Sequence, residues 1–175
     1  LEILSSLDDT CKYPSYGNAL SLFIKMIIAG QTIMFCADGY FEESRLAERY
    51  GSYLKSDILQ ITHHGFNGGC SKGYRLIDPK VCIVPVDEDL FYCSMGYENE
   101  SNRTLLYDLD VQEMFTGSCG DIVLQLPYEP RPNGKKLMLD KTYELRKGMG
   151  AKSWFFADLT WEECKFSFLS MNSDE

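Results

Sequence analysis

Two points in this chain carry residue types that hold metal ions, and each follows an apolar run. Asp38 comes directly after Thr32–Ala37 (TIMFCA), and His63 and His64 come directly after Asp57–Thr62 (DILQIT). A carboxylate oxygen and an imidazole nitrogen are suitable ligands for zinc, manganese or iron. There are only 2 histidines in the chain, and they are adjacent. Two imidazoles cannot build the three-histidine or four-ligand shells that hold zinc firmly. Each group also has a plain structural reading. Asp-Gly after a strand commonly makes a turn or caps a helix, and a His-His pair can be a satisfied polar pair at a sheet rim.

The elements that must position these residues alternate in type. Leu20–Ala29 (LSLFIKMIIA) and Thr32–Ala37 read as two strands of a hairpin, with Gly30-Gln31 as the turn. Phe41–Leu54 reads as a helix with Leu46, Tyr50, Tyr53 and Leu54 on one face, acidic in its first turn and weakened by Gly51. Asp57–Thr62 is a short strand. A Gly/Asn loop at Phe66–Gly69 follows, then a helix around Ser71–Ile77 closed by Asp78-Pro79. Val81–Val86 (VCIVPV) is a continuous apolar run, the mark of a strand covered on both faces. Ser101–Leu109 reads as helix with Asn102 as its N-cap, and Val111–Phe115 and Asp121–Leu126 (DIVLQL) as two more strands. Strand and helix in this order predict an α/β sheet layered with helices, and ligands gather at the carboxyl ends of strands in such sheets. Asp38 and the histidine pair both occupy such ends.

Composition bounds the rest. The chain has 175 residues, 17 Lys+Arg against 26 Asp+Glu, a net charge of −9, and 45% hydrophobic residues, which excludes general disorder. A surface this acidic repels phosphate backbones and argues against general nucleic-acid binding. The longest apolar run, Leu20 to Ile28, is interrupted by Ser21 and Lys25 and is far short of a membrane span. Leu1 to Thr10 carries Glu2, Asp8 and Asp9 and does not read as a secretory signal. The 7 cysteines (11, 36, 70, 82, 93, 119 and 164) are odd in number and contain no C-x-x-C pair. That usage predicts free thiols and a cytoplasmic protein.

Taken in order, Asn18-Ala-Leu-Ser-Leu, a hairpin, Phe35-Cys-Ala-Asp38-Gly, a helix, Lys55-Ser-Asp-Ile-Leu-Gln-Ile-Thr-His63-His64-Gly65 and Asp78-Pro-Lys-Val-Cys-Ile-Val form one pattern. It resembles the C-terminal half of metallo-β-lactamase-fold hydrolases, in the branch typified by the soluble domain of the competence protein ComEC. That branch reads N-x-x-S-L-V-L, a hairpin, L-F-T-G-D, a helix, K-A-D-V-L-K-V-x-H-H-G-S, P-K-x-x-V-I-S-V and later T-x-x-x-G-x-I. The last piece corresponds to Thr116-Gly-Ser-Cys-Gly120-Asp-Ile122, so the resemblance covers roughly Tyr16 to Leu126.

The resemblance implies half of an αββα sandwich, a mixed sheet with flanking helices, over residues 1–128. It implies that Asp38 bridges two metal ions and that His63 or His64 completes the second ion's shell, so Asp38 and His64 are the candidate catalytic residues. The metals, Zn2+ or else Mn2+ or Fe2+, would activate water against an ester, phosphodiester or amide. The chain departs from the pattern at Cys36-Ala37 in place of T-G, at Phe66 in place of serine, and at Tyr97-Glu98-Asn99-Glu100 in place of Y-G-H-P. The family's main metal signature, H-x-H-x-D-H, belongs to the N-terminal half and is absent from these residues. The expectation is therefore a fragment, consistent with a start at Leu1 rather than Met, whose partner is the missing N-terminal half. The competing expectation is a non-catalytic binding or scaffolding domain of the same ancestry, with an unrelated α/β interaction domain as a third. A sheet deprived of its other half predicts self-association. Residues 129–175, with Pro130-Arg131-Pro132-Asn133-Gly134 as linker and strands expected at Lys135–Leu145 and Trp154–Leu169, read as a β-rich aromatic appendage.

Overall fold

The computed structural model of the chain describes residues 1–5, 17–87, 91 and 100–131. Six strands form one mixed sheet in chain order: β1 Glu2–Ser5, β2 Phe23–Ile28, β3 Gln31–Phe35, β4 Ile58–Gln60, β5 Val81–Val84 and β6 Glu113–Thr116. β1, β2 and β3 pair antiparallel, and β3 to β6 pair parallel. The α/β class expected from the alternation is present. The hairpin register places Ile28 opposite Gln31, so the turn residues are Ala29 and Gly30 rather than Gly30 and Gln31. Both have positive φ, 51° and 79°, the conformation whose twist matches a two-residue hairpin.

The parallel strands need crossovers, and short helices supply them. α1 (Leu46–Tyr50) lies between β3 and β4, and α2 (Ser71–Ile77) lies between β4 and β5. The single helix expected over Phe41–Leu54 is broken. Arg45 (φ 53°) and Gly51 (φ 49°) leave the right-handed region, and Gly51–Leu54 forms a separate 3-10 turn. Leu46 and Leu54 are buried as the pattern required, while Tyr53 is 48% exposed and donates its hydroxyl to Glu2. The helix expected over Ser101–Leu109 starts at Glu100, becomes a π-turn at Thr104–Asp108, and carries Asn102 inside it, so Asn102 is not its N-cap.

Strand alternation separates two apolar faces. Met34, Leu59, Cys82 and Met114 lie in one register row and pack with Phe23, Phe41, Leu46, Leu54, Tyr74 and Ile77 beneath the helices. Ile33, Ile58 and Val81 lie in the adjacent row on the opposite face, covered by Leu124, Leu126 and Tyr128. β5 is thus buried on both sides, as its unbroken apolar run implied.

The covering segment corrects the strand expected at Asp121–Leu126. It is extended, with Val123 92% exposed and Leu124 and Leu126 turned inward, but it joins no ladder. It crosses the sheet as a strap. Gln31 holds it at Tyr128 by two bonds, Nε2 to the Tyr128 carbonyl (2.8 Å) and the Tyr128 amide to Oε1 (2.6 Å). The buried Glu113 carboxylate accepts from the Tyr128 hydroxyl (2.6 Å), the Arg131 amide (2.9 Å) and the Arg131 guanidinium. Burial by itself raises the Glu113 carboxyl, yet these bonds and the Arg131 charge hold it below its ordinary value. Protonation therefore opposes folding. The clamp contributes fully above the unfolded carboxyl value of about 4.3 and is lost as pH falls through the lowered folded value. Glu113→Gln should flatten the acid limb of the stability profile below that pH; coincident profiles for parent and variant would place the acid sensitivity elsewhere.

Among the described residues Cys36, Cys70, Cys82 and Cys119 are in no disulfide. Cys11, Cys93, Cys164, the Tyr97-Glu98-Asn99 stretch and both expected appendage strands lie outside the described residues. Alkylation of the unfolded chain without reductant should modify these four thiols; a disulfide at any of them would overturn that reading. Among the described residues no helix is long and apolar enough to cross a membrane.

Candidate metal centre

β3 and β4 end side by side, and the two loops that leave them are bonded together. The His63 amide donates to the Ala37 carbonyl (2.8 Å), the Thr62 hydroxyl to the Gly39 carbonyl, and the Phe41 amide to the Gly68 carbonyl (2.8 Å). The first loop is a tight turn closed from the Gly39 amide to the Cys36 carbonyl (2.9 Å), with Ala37 at φ 46° and Asp38 next. The second holds His63, His64 and Gly65 at φ 43°, 56° and 85° in succession. Three left-handed residues curl the chain sharply and lift both imidazoles onto the rim. Gly65 cannot be replaced there, since a Cβ would lie 2.8 Å from the Phe91 ring and 2.9 Å from Ile61 Cδ1.

Left-handed backbone costs an L-residue about 1–2 kcal/mol. Ala37→Gly should therefore stabilise the chain by about 1 kcal/mol in denaturant unfolding. A loss of stability would show that the alanine methyl has a role the turn geometry does not reveal.

The two histidines differ in what their nitrogens have to do. His63 Nδ1 meets Asn67 Oδ1, and its Nε2 accepts from Asn18 Nδ2 (3.1 Å), so both nitrogens are engaged. His64 Nδ1 lies 2.8 Å from the Pro85 carbonyl, which can only accept, so Nδ1 carries the proton. Its Nε2 faces Asp38 Oδ1 at 3.4 Å. In the neutral ring that nitrogen presents a lone pair to a carboxylate oxygen. A cation between two acceptors so placed, a proton or a metal ion, would satisfy both. A charge-assisted N–H···O⁻ bond spans about 2.7–2.9 Å, shorter than the distance seen. Two ligands of one tetrahedral zinc, each about 2.0–2.2 Å from it, stand about 3.4 Å apart.

The pair is open to solvent, with side-chain exposures of 44% for His64 and 37% for Asp38. Phe66 stands edge-on to both imidazoles, with ring centroids 6.0 Å from His63 and 6.4 Å from His64, and Tyr40 lies 6.0 Å from His63. Asp38 and His64 fit a metal ion as part of a shell. Among the described residues no group of three or more His, Cys, Asp and Glu completes it. Cys36, two residues from Asp38, is fully buried, and burial, then Cys82, pushes its thiol far above the ordinary range.

Asp38, His63 and His64 thus come together, and only His64 presents a nitrogen to Asp38. Four supporting residues were given no chemical role from sequence, although Asn18 opens the pattern quoted above: Asn18 and Asn67 on His63, Thr62 between the loops, and Gln60, whose Oε1 accepts from the Cys36 and Ala37 amides. Asn102, expected as a cap, donates instead to the Gly65 carbonyl. Gln60 had a legible signal, a polar side chain inside an apolar strand. No family model matches this sequence, and no curated protein does either.

Proposed function

We propose that this chain is part of a metal-dependent hydrolase, the C-terminal half of a metallo-β-lactamase-type sandwich acting on an ester or phosphodiester. Asp38 and His64, rather than His63, would hold the metal, which would supply the Lewis acid and the activated water. The observation that carries this reading is the lone pair of His64 Nε2 held 3.4 Å from Asp38 Oδ1 by the Nδ1–Pro85 bond. A backbone carbonyl on the far nitrogen is how metal-binding histidines are commonly oriented. When bound, zinc, manganese or iron ions polarise such substrates and make water nucleophilic near neutral pH. The chain's own residues hold and orient: Pro85 fixes the His64 ring, Asn18 and Asn67 brace His63, and Phe66 shields the flank of both.

The sheet supports the half-sandwich reading. On the face opposite the helices, Ile24, Phe35, Ile83 and Phe115 are only half buried and Ile3 is 57% exposed. The missing N-terminal half is the proposed partner for that face, with self-association as the outcome without it.

Calorimetric titration with zinc tests the assignment. The 175-residue chain should bind zinc weakly and hydrolyse no phosphodiester. His64→Ala should lose binding, and His63→Ala should weaken it about 10–100-fold, the size of an outer-sphere effect. Equal losses in the two variants would sink the assignment of His64. The second reading, a non-catalytic binding domain, is favoured by the lack of a third ligand among the described residues. Tight stoichiometric metal with turnover by this chain would exclude it.

A further inference from the structure

We infer that Gln60 is a positioning residue of this centre, setting the turn that aims Asp38 at His64. The inference rests on the metal reading above. Gln60 ends β4 directly opposite Phe35, the last residue of β3. Beyond that point the side chain takes over from the backbone ladder. Its Oε1 accepts from the Cys36 amide (3.1 Å) and the Ala37 amide (3.0 Å), while its Nε2 donates to the Ile61 carbonyl.

Successive N–H groups of an extended strand point to opposite sides. One oxygen can take two in a row only where the chain curls at the residue between them, here Cys36, where the turn closed by the Gly39 amide begins, and Ala37 follows it at positive φ. That conformation is unfavourable for alanine, and the two bonds to Gln60 offset it. Asp38 is the next residue, so rotation about Ala37 swings its carboxylate directly. The other ties of the turn, from the Gly39 amide to the Cys36 carbonyl and from the His63 amide to the Ala37 carbonyl, leave both of these N–H groups to Gln60. Because Gln60 and His64 leave the same strand, the glutamine couples the aspartate's position to the strand that carries its partner.

Zinc titration of the 175-residue chain, paired with amide hydrogen exchange of its metal-free form, tests this in Gln60→Met, Gln60→Glu and Asp38→Ala. Gln60→Met keeps the length and removes the oxygen. It should weaken zinc binding about 10–100-fold and speed exchange at Cys36 and Ala37. Gln60→Glu retains an accepting oxygen at the same reach but gives up the Nε2 donor to the Ile61 carbonyl, and should keep both values nearer the parent's than Gln60→Met does. That rescue is what a merely structural loss would not give, and the thermal midpoints check that every variant folds. Parental affinity in Gln60→Met alongside loss in Asp38→Ala overturns the inference alone, as does a Gln60→Glu chain as weak as Gln60→Met. Parental affinity in Asp38→Ala, or no zinc binding by the parent, overturns the metal reading and the inference with it.

Discussion

Asp38→Ala should abolish hydrolysis outright in a protein that carries the complete ligand set. If Asp38 holds the metal ions as proposed, its loss would disturb the nucleophile as well as the metals. His64→Ala should be comparably severe, because its Nε2 is the nitrogen presented to Asp38. His63→Ala should keep measurable activity, reduced about 10–100-fold, since its nitrogens are engaged with Asn18 and Asn67. Turnover of a chromogenic phosphodiester measures all three. Near parental activity in Asp38→Ala would show that this half of the fold is a scaffold.

Phe23→Ala should cost the chain about 3–5 kcal/mol, the range for emptying a buried aromatic site. Phe23 is fully buried and stands edge-to-face on Phe41 (5.1 Å, 72°), which meets Tyr74 in the same way (5.5 Å, 71°). This stack is the floor of the loops that carry Asp38 and the histidine pair. The Tyr74 hydroxyl accepts the Thr62 amide (3.3 Å), and a Cβ on Gly39 would lie 2.3 Å from Phe23 Cε2. Gly39→Ala alone should therefore cost about 1–3 kcal/mol through overpacking. In the Phe23→Ala background most of that penalty should vanish, a coupling of about 0.5–3 kcal/mol between sites that share one space. Denaturant unfolding of the four proteins measures it. Strictly additive penalties would mean that the loop does not rest on this ring.

Residue pattern placed β2 to β6, though not β1 at the sheet's edge. Unbroken apolar runs such as Val81–Val84 and Ile58–Leu59 record strands covered on both faces. Adjacency of Asp38 and the histidine pair was expected from the resemblance, which sets their two strands side by side, and the parallel pairing of β3 with β4 brings the two loops to a common rim. What the tertiary structure decided were features whose causes are distant in sequence. The alternation at Asp121–Leu126 reports an extended chain with one buried side, and only the anchors Gln31 and Glu113 make it a strap rather than a seventh strand. The helix at Phe41–Leu54 breaks where Arg45 and Gly51 turn left-handed, a choice that periodicity cannot register. The roles of His63 and His64 are the sharpest case. Identical side chains at adjacent positions are indistinguishable as sequence. They part company because Pro85, from the next strand's end, takes the far nitrogen of one, while Asn18 and Asn67 take both nitrogens of the other.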